Sequence, residues 1–225
     1  MKIRKKGLYF LKMPQFGKGE IPAMYSVKEK IYRKIARHPA GWVFSARDFL
    51  REFPRTDVDV SLRKLVQETK IRKVLRGFYD RPGYSKVLQE YLQPSPESVV
   101  KAIARRYSRE IFPSGEQLLY YYGLSTQVPA QYVYLWDAPP KVYHLGAIRI
   151  EFRKGFHRDF LLRHEESRIA IQLLRALGNA AAIPAVQEKL KRCFTSQQWK
   201  IICSDVKEAP AHLHVLVLQL QQVPR

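Results

Sequence analysis

The chain has 225 residues, of which 46% are hydrophobic, and a formal net charge of +20 from 40 Lys and Arg against 20 Asp and Glu. This composition can bury a core in one large or two small domains, and the charge indicates a polyanionic partner, with nucleic acid first. No apolar run approaches the roughly 18 to 20 residues that span a bilayer, the apolar stretch after the basic start is too short for a signal peptide, and two cysteines are too few for a disulfide framework. We therefore predict a cytoplasmic protein that does not reside in a membrane.

The positive charge is concentrated in the first part of the chain. Residues 1–87 hold 22 Lys and Arg against 8 Asp and Glu, a net +14, whereas residues 88–225 hold 18 against 12, a net +6. We predict a basic arm at 1–23, a DNA-binding domain at 24–87 and a C-terminal domain at 88–225. Charge alone leaves open a basic surface without a specific partner.

Three capping-box patterns within about 30 residues predict three short helices. They are Ser26–Glu29, Ser45–Asp48 and Thr56–Asp59, where a hydroxyl can accept from the backbone N–H three residues on and the acid can reach back. Breaker residues at 38–41 end the first helix. Pro54 limits the second to about two turns.

The third predicted helix carries an apolar stripe and is followed by a β-hairpin pattern. Its stripe is formed by Val58, Leu62, Leu65 and Val66. Residues 71–79 read as two short basic strands around a glycine, and residues 42–44 can supply a third strand. This order is typical of a winged helix-turn-helix. The third predicted helix would then be the recognition helix, which lies in the major groove of DNA. The alternative is a three-helix module that does not touch DNA.

The predicted DNA-binding residues divide into two groups by the part of DNA that they would meet. Phosphate contacts set the register of a protein on DNA, whereas contacts to base edges specify sequence. The predicted phosphate group is Arg47, Arg51, Arg72, Lys73 and Arg76, and Arg55 completes the DNA-binding set. The predicted base-edge group is Ser61, Arg63, Lys64 and Gln67.

The pattern after residue 88 predicts an α+β domain with a small, mostly antiparallel sheet and several helices. A hinge is predicted at 91–96, followed by a helix at Ser95 and Pro96 and by another from Ser114 to Gly123. The predicted strands are 131–136, 141–145 and 147–152, and the predicted later helices are 165–177, 184–193 and 197–206. Residues 213–220 are too uniformly apolar to assign.

Two stretches give a resemblance to a known family. Residues 71–79 followed by Arg81-Pro82, and Pro113-Ser114-Gly115 with residues 123–129, resemble the AbiEi-type antitoxins of type IV toxin-antitoxin systems over about residues 25–155. The family usually has a glycine before the wing, where this chain has Thr69-Lys70. The resemblance implies a winged helix that binds repeats in its own promoter, and we predict a chain that is a monomer in solution or a dimer on DNA. It also implies a C-terminal domain that opposes a nucleotidyltransferase toxin.

Enzymatic alternatives find little support in the sequence, and we predict neither catalysis nor a cofactor. His164-Glu165-Glu166 lacks the second histidine of a zinc helix, and His212 with His214 could share one strand face but lacks a third ligand. Glu151, Asp159 and Glu165 could form the magnesium site of a nuclease, although nearby arginines offer ion-pair partners. A ligand-sensing C-terminal domain is a further alternative, as is base stacking on the tyrosines at 120–122 and 132–136. Core packing is the favoured role of these aromatic residues.

Overall fold

A computed structural model describes residues 25–129 and 131–222, so the predicted basic arm at 1–23 lies outside the described residues. The described chain is a mixed α+β fold with small sheets and several helices, which confirms the predicted fold class. Its α-helices are α1 (Val27–Arg37), α2 (Arg55–Gln67), α3 (Pro96–Tyr107), α4 (Gly115–Tyr121), α5 (His157–Leu161), α6 (Glu165–Leu177), α7 (Pro184–Arg192), α8 (Ser196–Asp205) and α9 (Ala211–Gln222). Its strands are β1 (Val43–Ser45), β2 (Arg72–Leu75), β3 (Phe78–Asp80), β4 (Tyr84–Ser85), β5 (Glu90–Tyr91), β6 (Ile111–Pro113), β7 (Tyr132–Trp136), β8 (Lys141–Leu145) and β9 (Ile148–Lys154).

The first capping box forms as predicted and begins α1. The Ser26 hydroxyl accepts from the Glu29 backbone N–H at 3.3 Å, and the Glu29 carboxylate accepts from the Ser26 N–H at 2.9 Å. These bonds satisfy two backbone donors that a helix start leaves without a partner. Ile31 and Ile35 are buried on the inner face of α1.

The second predicted helix is shorter than expected. Ser45 and Asp48 form their capping box, with the Ser45 N–H donating to the Asp48 carboxylate at 2.8 Å. The capped segment is a single 3-10 turn at Ala46–Phe49 rather than two α-helical turns. Turn and bend residues at 50–53 follow it, with the Phe53 N–H donating to the Phe49 carbonyl at 3.1 Å, and they fill the space before Pro54.

The third predicted capping box is wrong. Pro54, in an extended conformation, occupies the N-cap of α2, so Thr56 already lies inside the first turn. Asp59 does not reach back to Thr56 and instead accepts from Arg55 Nε at 2.7 Å across one helical turn. The predicted inner face holds, because Val58, Leu62 and Leu65 are buried.

Three short strands form an antiparallel sheet beside these helices. The strand order is β1-β3-β2, with Ser45 opposite Phe78 and Arg72 opposite Asp80. The β2–β3 turn places Gly77 at a φ of +79°, a conformation that favours glycine. Strands β4 and β5 then form a separate exposed hairpin.

The second sheet has the order β6-β7-β9-β8 and confirms the three strands predicted after residue 130. Strands β7 and β9 are parallel, and the other two pairings are antiparallel. Strand β6 was not predicted, because a segment of three residues carries too little alternation to be recognised.

One hydrophobic cluster contains residues from both sides of the predicted domain boundary at residues 87 and 88. It joins Val43 and Phe78 of the first sheet to Ile103 of α3 and to Ile150 and Phe152 of the second sheet. A second cluster fills the space between α1, α2 and the first sheet, and a third holds α6 to α9. The first sheet and the second half of the chain therefore share one packed core.

The apolar segment at 213–220, which could not be assigned from the sequence, is part of α9. Leu213, Val217 and Leu220 are buried at helical spacing against the cluster that also holds Trp199 and Ile202. Within residues 25–129 and 131–222, none of the helices combines the length and the apolar character needed to cross a bilayer.

Candidate nucleic-acid interface

The outer face of α2 is open to solvent. Thr56, Val60, Arg63 and Gln67 are exposed and follow the spacing i, i+4, i+7 and i+11, so they form one stripe along the helix. Lys64 is exposed beside this stripe. On its other side α2 packs against α1 and the 3-10 turn, and this packing leaves the stripe free.

One predicted base-edge residue is not on this face, and two residues of the face were missed. Ser61 is only 4% exposed, because it lies three residues after Val58 and four before Leu65 and therefore shares their buried side. It cannot reach a base edge. Thr56 and Val60 lie on the open stripe, and their spacing to Arg63 and Gln67 was the sequence signal that could have found them.

The β2–β3 hairpin places two of its three predicted cations at the surface. Lys73 and Arg76 are exposed, and neither forms an ion pair within the described part of the chain. Arg72 instead donates two hydrogen bonds to Asp80, at 2.7 and 3.1 Å, and a third to the Leu92 carbonyl oxygen. Asp80 is fully buried, so Arg72 is held as a structural partner and drops out of the predicted phosphate group.

The three remaining predicted cations surround the start of α2. Arg47 and Arg51 are both exposed, and Arg47 also donates to the Arg106 carbonyl at 2.7 Å and to the Ser108 hydroxyl at 2.9 Å. Arg55 is exposed and partly neutralised by Asp59. A groove of about 370 Å³ separates this region from the hairpin turn, and its lining includes Arg47, Arg55, Asp59, Gly77, Tyr79 and Arg106.

The match to a protein-family model includes residues of both the predicted DNA-binding domain and the predicted C-terminal domain. The model of DUF6088, described as a family of unknown function, matches residues 30–202. The chain belongs to the DUF6088 family. The matched range contains the open face of α2, the hairpin and the second sheet, so the family shares more than the N-terminal module. No curated protein matches this DUF6088 chain.

The acidic residues considered for a nuclease do not assemble a metal site in this DUF6088 protein. Asp159 is buried and accepts from Arg175 at 2.8 Å and from Gln172 at 2.6 Å. Hydrogen bonding to Arg153 lowers the pKa of Glu151 below its usual value. Across the described residues, no group of three His, Cys, Asp or Glu side chains is placed to hold a metal ion.

The histidines and aromatic residues considered in the sequence analysis lie in helices, at a helix end, or in or against the hydrophobic core. His164 occupies the N-cap position of α6 without a side-chain capping bond, and its Nδ1 lies 3.3 Å from Asp205 Oδ2. His212 and His214 lie on helix α9, so the prediction of a shared strand face is wrong. Tyr134 and Trp136 are buried against Phe152, which confirms the predicted core packing for this part of the aromatic group.

Proposed function

We propose that residues 27–80 of this DUF6088 protein are a winged helix-turn-helix that binds double-stranded DNA. The observation that carries the proposal is the open face of α2, with Arg63 and Lys64 exposed, beside a hairpin with exposed cations. Helix α2 would lie in the major groove, and the β2–β3 hairpin would be the wing. Electrostatic attraction to phosphates supplies most of the affinity of such a surface, and the net charge of +20 fits this role.

The open stripe on α2 suits direct readout of base edges. Arg63 can pair with guanine and Gln67 with adenine, and the apolar Val60 can contact a thymine methyl group. Lys64, beside the stripe, is a further candidate for guanine. Lys73 and Arg76 on the hairpin, together with Arg51, suit phosphate contacts that set register without reading sequence.

We further propose that the protein acts in the cytoplasm as the antitoxin and autorepressor of a type IV toxin-antitoxin system. This role rests on the resemblance to AbiEi-type antitoxins. The winged helix would cover promoter repeats and exclude polymerase. The chain would be a monomer in solution or a dimer on DNA, with half-sites about 34 Å apart. The functional partner would be a nucleotidyltransferase toxin. The chain would act by binding, without catalysis of its own.

One observation supports a ligand-sensing role for the second half as a second candidate. A cavity of about 480 Å³ lies between α4 and the second sheet. Its lining mixes the apolar side chains of Leu119 and Val133 with the polar ones of Glu116, Gln127 and Arg153. Pockets with a few polar groups in an apolar wall are typical of small-molecule sites.

The DNA-binding proposal is tested by titrating the full chain with two labelled 30-base-pair duplexes at several salt concentrations. One duplex carries the sequence upstream of the gene, and the other is random. We expect at least tenfold tighter binding to the upstream duplex, and the log of the binding constant should fall by about 0.9 per phosphate contacted for each log unit of salt. Equal affinity for both duplexes, or no dependence on salt, contradicts the proposal. Co-expression with the product of the adjacent gene tests the antitoxin role, and rescue of growth is the expected result.

A further inference from the structure

The turn of the β2–β3 hairpin is held by an arginine from the second half of the chain. Arg106, near the end of α3, donates from Nη1 to the Gly77 carbonyl at 3.1 Å and lies over the Phe78 ring at 4.8 Å. A Cβ on Gly77 would overlap this guanidinium, so the glycine makes room for it. The position of the hairpin turn, and with it that of Arg76, is therefore fixed by α3.

Tyr107 connects Arg106 to a lysine of the second sheet, Lys141. The Arg106 guanidinium also lies 5.8 Å from the Tyr107 ring, and Lys141 of β8 donates from Nζ to the Tyr107 hydroxyl at 3.2 Å. The Lys141 ammonium is 5.1 Å from the Tyr107 ring centroid and 5.0 Å from that of Tyr143. Two aromatic rings and a hydroxyl thus orient a lysine side chain that would otherwise sample many rotamers.

Arg106 and Lys141 differ from two neighbouring arginines, which form ion pairs with acidic side chains. Arg105 pairs with Asp48 and Arg109 pairs with Asp137. Neither Arg106 nor Lys141 forms an ion pair with a carboxylate in the described residues. Hydrogen bonds to the Tyr143 and Tyr107 hydroxyls raise the pKa of Lys141 above its ordinary value.

We propose that the DNA-binding surface continues from the hairpin onto the second half of the chain, and that Lys141 contacts a phosphate of the same duplex. Lys73, Arg76 and Lys141 are exposed and Arg106 is half-buried. The segments that carry them touch one another, since β2 contacts β8 and Arg106 bonds to the hairpin turn. A sequence of cations along a surface matches the spaced charges of a nucleic-acid backbone better than it matches one small anion. This inference rests on the proposed DNA binding, and it assigns the second half a share of the affinity without base readout.

The shared core gives the continued surface a fixed geometry. Phe78 of the hairpin and Tyr143 of β8 pack against the same hydrophobic cluster, which includes Ile103 and Phe152. The two parts of the surface can then meet a duplex together, with little ordering entropy lost on binding.

The test measures binding of the full chain to a random-sequence 30-base-pair duplex between about 50 and 300 mM salt. Lys141→Gln is expected to reduce the slope of log affinity against log salt by about 0.9 and to weaken binding about 8-fold at 0.1 M salt. Lys141→Arg, which keeps the charge, should restore most of the affinity. Lys200→Gln, at an exposed lysine of α8, is the matched control and should leave the slope unchanged. Melting temperatures of all variants establish that each is folded.

A double variant separates this inference from the proposed function. Arg63→Ala with Lys64→Gln removes charge from the open face of α2. If this variant loses affinity for the upstream duplex while Lys141→Gln and Lys200→Gln both match the unaltered chain on the random duplex, the continued surface is wrong and the DNA-binding module stands. If the unaltered chain does not bind either duplex, or the double variant binds the upstream duplex as tightly as the unaltered chain, the proposed function itself is wrong. Loss with Lys141→Gln and recovery with Lys141→Arg support the inference.

Discussion

Arg72→Ala is expected to lower the free energy of unfolding by about 3–5 kcal/mol, the range for breaking a buried ion pair. Arg72 meets Asp80 through two hydrogen bonds, and the Asp80 side chain has no exposed surface. Removing the guanidinium leaves the carboxylate buried without its cation. Urea denaturation followed by circular dichroism measures the change.

Lys73→Ala is the matched control, because Lys73 is the next residue of β2 and is exposed. Its stability should stay within about 0.5 kcal/mol of the unaltered chain, as expected for a surface substitution. Its affinity for specific and random DNA should fall by the same factor, since a phosphate contact carries no sequence information. If Arg72→Ala were as stable as Lys73→Ala and lost DNA affinity to the same extent, Arg72 would return to the set of phosphate contacts.

Arg63→Ala is expected to lower discrimination between the upstream duplex and a random duplex by about 1–3 kcal/mol, the range for one bidentate contact between arginine and guanine. Arg63 lies at the centre of the open stripe on α2 and has no ion pair in the described residues. Its loss should leave folding unaffected. Dissociation constants for the two duplexes, measured at one salt concentration, give the ratio.

The control for Arg63→Ala is Arg158→Ala, at an exposed arginine of α5 in the second half of the chain. This variant should keep the ratio between the two duplexes. Loss of affinity by the same factor on both duplexes for Arg63→Ala would assign Arg63 to the phosphate backbone. No loss on either duplex would remove Arg63 from the interface.

Rules that use only neighbouring residues predicted the helices and strands of this fold better than they predicted which distant residues contact one another. The capping box at Ser26 needs only residues within one turn, and it was found. The box at Thr56 failed because Pro54 already supplies an extended residue that starts the helix earlier. Ser61 was misplaced because the choice between the two sides of a helix depends on its exact phase. Polar side chains cannot establish that phase when apolar residues lie beside them in the sequence, as they do on both sides of Ser61.

The errors at the hairpin have a different origin. The pairing of Arg72 with Asp80 depends on the register of β2 and β3, which an irregularity between Lys73 and Leu75 shifts. Nothing in the local pattern gives that register. The contact of Arg106 with Gly77 joins residues 29 positions apart, and the shared core joins β1 to β9. Contacts of this range follow from the packed fold and were outside the reach of spacing rules.

The central claim is that the open stripe of α2 lies against DNA. A photocrosslinking amino acid at Val60, the apolar residue of the stripe with 47% of its surface exposed, tests it directly. We predict a covalent adduct with a 30-base-pair duplex carrying the upstream sequence, and no adduct from the same amino acid at Val215 of α9, which has 52% of its surface exposed. Equal crosslinking from both positions, or none from Val60 under conditions where the duplex is bound, would contradict the account.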